Sequence, residues 1–428
     1  MAEAGALAGR RLAFYALGGF GTGVLTTVPA ALLLYFCTEV LAMPPGLAAL
    51  VVLLPKLWSI VWDPLVGVWS DRIDTRIGRR RPFILAGAIG VPLIFVLLFC
   101  WPYPAGAAAF VPVTLLYLLM TSVYSIFAVP FVAVPAEASA DPAVRERITG
   151  WRIGFAMIGV FAGAAAGPAI VAAAGGGRHG FTVMAAVIAV LCGLALLSCF
   201  LATPSRFAAR VAKAEQAPAA AGAGANLFRG AGRFWALTGA YLLQLVGVGA
   251  VTALTPYWVV HLARLAEGET GSALGAMFLA TIVTVPAWMW AIRRWGAGAM
   301  LALSALLFGV VALSLSAPSP AMMLPAFAAL GVPFAGIQVA AFAQAAHVIH
   351  ALPHSSEGLF TGIWTAGEKS GLAIGAALAG FGLQIGGFVA AAQGQSPAAL
   401  DALRWLIALS PLACMLMSLL LLAWARRA

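Results

Sequence analysis

Apolar residues run in long blocks along this chain, and polar residues are confined to short gaps between them. Twelve blocks can be drawn, at roughly 12–40, 46–70, 82–101, 109–136, 148–174, 181–203, 233–262, 270–292, 297–317, 321–350, 359–390 and 403–425. A helix needs about 20 apolar residues to cross the hydrocarbon of a bilayer, and every block reaches that length. Several exceed it, so tilt, kinks or extensions past the bilayer are expected. The pattern predicts an all-α membrane protein with twelve transmembrane helices. Between the sixth and seventh blocks lies a stretch rich in Ala, Gly and charge, the composition of a flexible or partly amphipathic linker. The expected organisation is a six-helix bundle over 1–203, a cytoplasmic linker over 204–232 and a second six-helix bundle over 233–428.

Composition agrees. The chain is 63% hydrophobic and 9% charged, where an ordinary soluble domain carries roughly 25% charge. The net charge of +10 does not point to nucleic acid, because the positive residues sit in short gaps between apolar blocks, as topology signals do. With the N-terminus inside, only Arg178, Arg264 and Arg404 fall on the outer side, and Lys56 and Lys369 fall within blocks. The remaining basic residues gather inside, so both termini are expected in the cytoplasm, in a bacterial inner membrane. The first block is too long for a signal-peptide core of about 7–15 residues and reads as a retained span. The five cysteines show neither metal-ligand spacing nor a disulfide framework. No nucleophile–base arrangement stands out. The expected protein is therefore a monomer in a lipid bilayer, acting on a small-molecule substrate without metal, cofactor or catalysis. Two six-helix halves about an axis along the membrane normal describe the major facilitator fold, with solute sites near the midplane.

The most informative stretch is Lys56–Pro82, KLWSIVWDPLVGVWSDRIDTRIGRRRP. A charge inside a span costs about 2.5–3.5 kcal/mol even on lenient scales, so it usually faces a cavity or a partner. Lys56, Ser59 and Asp63 are spaced i, i+3, i+7 and share one helical face. By helical rise Asp63 lies about 11 Å, and Lys369 about 15 Å, from the inner ends of their spans. Those depths are compatible with an Asp63–Lys369 pair. Such a pair is neutral together, and removing one member leaves a costly charge. A proton, cation or solute competing for one member favours another conformation, which is the minimum for coupled transport. The plainer reading is a lock between helices. Glu368 sits beside Lys369 but about 100° around the helix, facing a lipid boundary, another helix or a second polar network.

Four segments in order resemble the glycoside–pentoside–hexuronide:cation symporter family of the major facilitator superfamily. They are FYALGGFGTG with YFCTEVL, WDPLVGVWSDR with GRRRP, VPFVAVPAEASADPAVRERITGWR, and WTAGEKSGLAIG. The resemblance implies the fold and an alternating-access symporter for a sugar or other small organic solute. It also implies roles for Asp63, Thr365 and Lys369. Family members commonly carry carboxylates where this chain has Gly19 and Ser59, and some carry a third where it has Ala128. The resemblance associates those groups with sugar hydroxyls and the coupling cation. One carboxylate with Ser59 is a poor sodium cage, so a proton is favoured over sodium as coupling ion. An amphiphilic cargo such as a lysolipid, or a receptor or scaffold that has lost transport, are the alternatives.

Asp71, Arg72, Arg79, Arg80 and Arg81, with Glu137, Asp141, Arg145, Arg147 and Arg152, form two charged clusters expected at a cytoplasmic gate, where opposite charges hold one side closed. Topology signalling is the plainer account. Tyr15, Tyr124, Gln244, Tyr257, Trp258, Gln338 and Trp364 are polar or aromatic residues within apolar blocks, suited to sugar rings and hydroxyls. The same residue types serve as helix glue. The runs GGFGTG and GLAIGAALAG read as close helix packing. His347, His350 and His354 share a face without a further His or Cys beside them, which suits a pH-sensitive interface better than a metal.

Overall fold

The computed structural model describes residues 7–73, 75–139, 141–205, 232–350, 357–392 and 394–427. Among these there are twelve long helices and no strand. In chain order they are α1 (Gly9–Tyr35), α2 (Pro45–Arg72), α3 (Arg81–Cys100), α4 (Phe110–Ala138), α5 (Pro142–Ala173), α6 (Gly177–Ala202), α7 (Gly232–Tyr257), α8 (Glu269–Trp295), α9 (Ala297–Ala312), α10 (Met323–His350), α11 (Glu357–Ile385) and α12 (Pro397–Arg427). With their flanking turns, all but α11 contain described stretches long and apolar enough to cross a membrane. Large apolar side chains stand exposed on their outer faces, among them Leu194, Leu201 and Leu420. Water would penalise that surface and lipid does not. The protein is a multi-pass integral membrane protein.

Two helices start well before the point that hydropathy suggests. The fifth block was drawn from 148, but α5 begins at Pro142 because the Asp141 side chain accepts the Ala143 N–H and the proline occupies the first turn. The twelfth was drawn from 403. There α12 begins at Pro397, and Ser396 Oγ accepts the Ala399 N–H at 3.2 Å. Charged residues just inside each start, Arg145, Glu146 and Arg147 in α5 and Asp401 in α12, break the apolar pattern there. Most of the expected linker, residues 206–231, lies outside the described residues.

The chain forms two compact units, residues 1–29 with 54–215 and residues 30–53 with 216–428. In each, glycine sets close helix pairs. In the first unit α1 lies on α5: a Cβ on Gly19 would come 2.3 Å from the Arg152 carbonyl oxygen, and one on Gly159 would come 2.2 Å from that of Phe20. In the second unit α7 lies on α11: a Cβ on Gly249 would meet Leu372 O at 2.4 Å and one on Gly375 would meet Val246 O at 2.2 Å. Small residues permit this backbone approach, and without an apolar-solvent driving force it is what holds membrane helices together. Gly375→Ala is therefore expected to lower the thermal midpoint of the detergent-solubilised protein, since overpacking costs about 1–3 kcal/mol. Gly154→Ala in α5 is the control. Nothing lies within 4 Å of its Cβ position, so it should be neutral or stabilising by up to about 1 kcal/mol through helix propensity.

Candidate functional site

In the first unit, α2 and α4 are joined by polar contacts inside apolar helices. The indole N–H groups of Trp58 and Trp62 donate to Ser122 Oγ and to Ser122 O, each at 3.0 Å. One turn further, Ser125 Oγ donates to Asp63 Oδ1 at 2.5 Å. The Asp63 carboxylate is half-buried and is electrostatically coupled to Lys56 and Tyr124. Lys56 Nζ lies 5.8 Å from the centre of the Tyr117 ring, a cation–π contact. Tyr124 also lies beside Thr22 of α1 and within electrostatic reach of Arg152. Ser59 turns inward on its own helix, donating to Lys56 O at 2.7 Å.

Proline shapes the α1–α4 contact. Pro135 has no N–H, so the carbonyl four residues earlier loses its helical donor. That carbonyl belongs to Phe131, and Tyr15 Oη donates to it at 2.7 Å. The Tyr15 and Phe131 rings pack 4.9 Å apart, and the Arg152 guanidinium lies 5.8 Å from the Phe131 ring. Arg152 therefore sits well inside α5, beside the Asp63 cluster, with its Nε buried and unbonded. Gly19 faces the α5 backbone at a distance that excludes any side chain.

The loop charges assemble at the ends of α2, α3 and α4. The Arg80 side chain uses three different nitrogens: Nε to Glu137 Oε1 at 2.8 Å, one terminal nitrogen to Ser70 Oγ at 2.6 Å and the other to Asp71 Oδ1 at 2.5 Å. Arg79 reaches the same Glu137 oxygen at 2.5 Å. Arg81 lies over the Phe200 ring at 4.5 Å. Asp141 is the α5 cap described above. Arg72 and Arg147 are exposed and Arg145 is half-buried.

In the second unit, Tyr241 of α7 and Trp364 of α11 stack with their planes 4° apart and ring centres separated by 4.6 Å. Tyr241 Oη donates to Gln338 Oε1 of α10 at 2.6 Å, and the Glu368 side chain lies beside the same hydroxyl. The buried Trp364 N–H has no hydrogen-bond acceptor among the described residues. Gln338, Trp364 and Glu368 are thus brought together by Tyr241, which sequence reasoning did not single out. Other polar residues go into packing. Gln244 is fully buried and reaches Ser418 of α12 at 3.3 Å. Trp258 donates to Leu315 O at 2.8 Å and packs on Phe327. Tyr257 Oη and Thr38 Oγ1 are hydrogen-bonded at 2.6 Å. The side chains of Thr365, Lys369 and His350, and all of His354, lie outside the described residues.

The fold is one used by membrane transporters. A bacterial homologue of the iron transporter ferroportin in an inward-facing state aligns over 97% of this chain and 98% of its own, with a TM-score of 0.67 at 14% identity. A mutant of the nucleoside transporter NupG aligns over 96% and 99%, with a TM-score of 0.72 at 11% identity. The MFS/sugar transport protein family matches residues 14–425, and this chain belongs to it. The inner membrane symporter YicJ of Escherichia coli (strain K12) is 24% identical over 145 residues, 34% of this chain and 32% of the relative. The sodium-dependent lysophosphatidylcholine symporter 1 of Xenopus tropicalis is 23% identical over 150 residues, 35% of this chain and 29% of the relative. These alignments span about a third of the length of the curated relatives.

Proposed function

We propose that this chain is a secondary transporter working by alternating access, that it moves a sugar or another small polar solute, and that protons rather than sodium ions drive it. The supporting observation is the Asp63 cluster. A carboxylate in the middle of a membrane helix is held at 2.5 Å by Ser125, and intramembrane carboxylates mark ion and substrate pathways. Sodium prefers several oxygen ligands. Ser59 is committed to its own helix, and no carboxylate fits at Gly19. A single carboxylate suits a proton better. In the second unit the Trp364 N–H, the Gln338 amide and the buried Tyr241–Trp364 stack are the donor, amide and flat apolar groups on which a sugar ring would lie once that cluster opens to solute. The placement of basic residues supports cytoplasmic termini in a bacterial inner membrane. An amphiphilic cargo is the second reading, favoured by the similarity to a lysophosphatidylcholine symporter.

Purified protein in liposomes, offered neutral sugars, acidic sugars and lysophospholipids under proton, sodium or no gradient, tests both. Uptake of a polar solute beyond equilibrium, driven by a proton gradient and indifferent to sodium, is the expected result. Uptake driven by sodium alone rejects the ion assignment. Uptake of lysophospholipid but no sugar selects the second reading, and no flux of any solute by folded protein rejects transport of these classes.

A further inference from the structure

The far ends of α1 and α7 repeat one another. After Tyr35, α1 widens into a π-turn at Phe36–Val40, and after Tyr257, α7 does the same at Trp258–Leu262. Leu41 N–H closes the first turn on Phe36 O at 3.1 Å, and Ala263 N–H closes the second on Trp258 O at 2.9 Å. A second bond follows in each, Met43 N–H to Cys37 O at 2.9 Å and Leu265 N–H to Val259 O at 3.0 Å. Each turn then leaves through a non-glycine residue at φ 53°, Ala42 in one and Arg264 in the other. Single-turn π segments often mark functional places. Glu39 and His261 hold the same position in the two turns.

Those two side chains face each other. His261 Nε2 lies 3.8 Å from Glu39 Oε2, and each side chain is only 13% exposed. All of this lies within the second unit. Glu39 Oε1 and His261 Nε2 are buried without a hydrogen-bond partner among the described residues. From α1, Tyr35 Oη donates to Glu267 Oε1 at 3.0 Å. Glu267, in the connection before α8, also lies close enough to Glu39 to repel it, while the Ala391 backbone amide lies near Glu39 and opposes that repulsion. Tyr257 and Phe388 cover the His261 ring. Arg264 is exposed.

Two carboxylates and one neutral imidazole in a poorly hydrated place repel each other, and the loss of solvent screening makes that repulsion larger than in water. One proton on the His261–Glu39 pair changes both terms. It reduces the net charge of the three groups from about −2 to −1, and on the imidazole it makes both ring nitrogens donors and the ring a cation, so the 3.8 Å contact can close into a charge-assisted bond. We propose that Glu39, His261 and Glu267 form a proton-binding site separate from Asp63, and that a proton held there fastens the end of α1 to the end of α7. Acid tightens this contact. Loss of the proton leaves the carboxylates in repulsion and lets the two turns part. The inference is independent of which solute the protein carries.

Cys37 provides the test, since it lies in the α1 turn and is fully buried. Serine at Cys100, Cys192, Cys199 and Cys414 leaves it as the sole thiol of the full chain. Its labelling by a membrane-impermeant maleimide is timed in membranes across mildly acidic to mildly alkaline buffers. Each rate is divided by that of the same protein unfolded in detergent, which removes the intrinsic pH dependence of thiol chemistry. The corrected rate should rise about tenfold across the range in which histidine titrates. His261→Asn and Glu39→Gln should each abolish the rise. Tyr257→Phe, which removes only the bond to Thr38, should speed labelling at every pH while keeping the rise. A flat corrected rate in the parent protein, or a rise that survives His261→Asn, overturns the proposal. If the four serines impair folding, mass-spectrometric readout of the Cys37 peptide in the native chain gives the same comparison.

Discussion

Asp63→Asn is expected to abolish accumulation of solute against its gradient while leaving insertion and folding intact. Asn has nearly the shape of Asp, and its amide oxygen can still accept the Ser125 hydroxyl that lies 2.5 Å from Asp63. It cannot take up and release a proton in the accessible pH range. A carrier whose driving ion binds at this carboxylate should then equilibrate its solute and go no further, so the inside-to-outside ratio under a proton gradient falls to one. Ser125→Ala separates this effect from a merely positional one. It removes a hydrogen bond to a charged group, worth about 1.5–3 kcal/mol, which corresponds to about a ten- to hundredfold loss in kcat/KM if the bond is made in the rate-limiting state. The carboxylate remains, so accumulation should persist at a reduced rate. Both are measured as time courses of labelled solute in liposomes with and without a proton gradient. Undiminished accumulation by Asp63→Asn would remove this carboxylate from the coupling step.

Much of this arrangement is readable from the chain because membrane helices announce themselves by apolar length, and because glycine runs and intramembrane charges have few alternative explanations. GGFGTG and GLAIGAALAG do set close helix pairs, α1 on α5 and α7 on α11. What the sequence hides is the partner. Ser125 looks like any small hydroxyl in an apolar helix until Asp63, 62 positions away, is placed beside it. Gln244 and Gln338 read alike, yet one is fully buried at Ser418 and the other bonds Tyr241 in an aromatic cluster. Hydropathy places Arg152 near the start of its span. The Asp141 cap starts α5 earlier, so Arg152 lies nearly three turns inside the helix. The Tyr35–Ala42 and Tyr257–Arg264 turns share a register but only one residue type, their leading tyrosine. Their likeness lies in backbone hydrogen bonds, which sequence does not record.

Arg80→Ala should cause the largest loss of stability among the charged residues. Arg80 is 8% exposed, and its guanidinium spans Glu137, Ser70 and Asp71 with three separate nitrogens. It ties the end of α2 and the start of α3 to the end of α4, all within the first unit. Removing one member of a fully buried ion pair costs about 3–5 kcal/mol. Here the carboxylates are less buried, Asp71 at 41% and Glu137 at 20% exposure. Glu137 also keeps Arg79. Water recovers part of the loss, so about 2–3 kcal/mol is expected, seen as a lower thermal midpoint in detergent. Arg80→Lys discriminates between charge and geometry. A lysine retains the positive charge, but its donors radiate from one atom and cannot reach three partners on different sides of a plane. If the planar fork is what fastens these helix ends, lysine should restore less than half of the midpoint lost with alanine. Full restoration by lysine would show that charge alone suffices. The contact would then be a topology signal that happens to be paired, and the α2–α4 attachment would rest on Trp58, Trp62 and Ser125 instead.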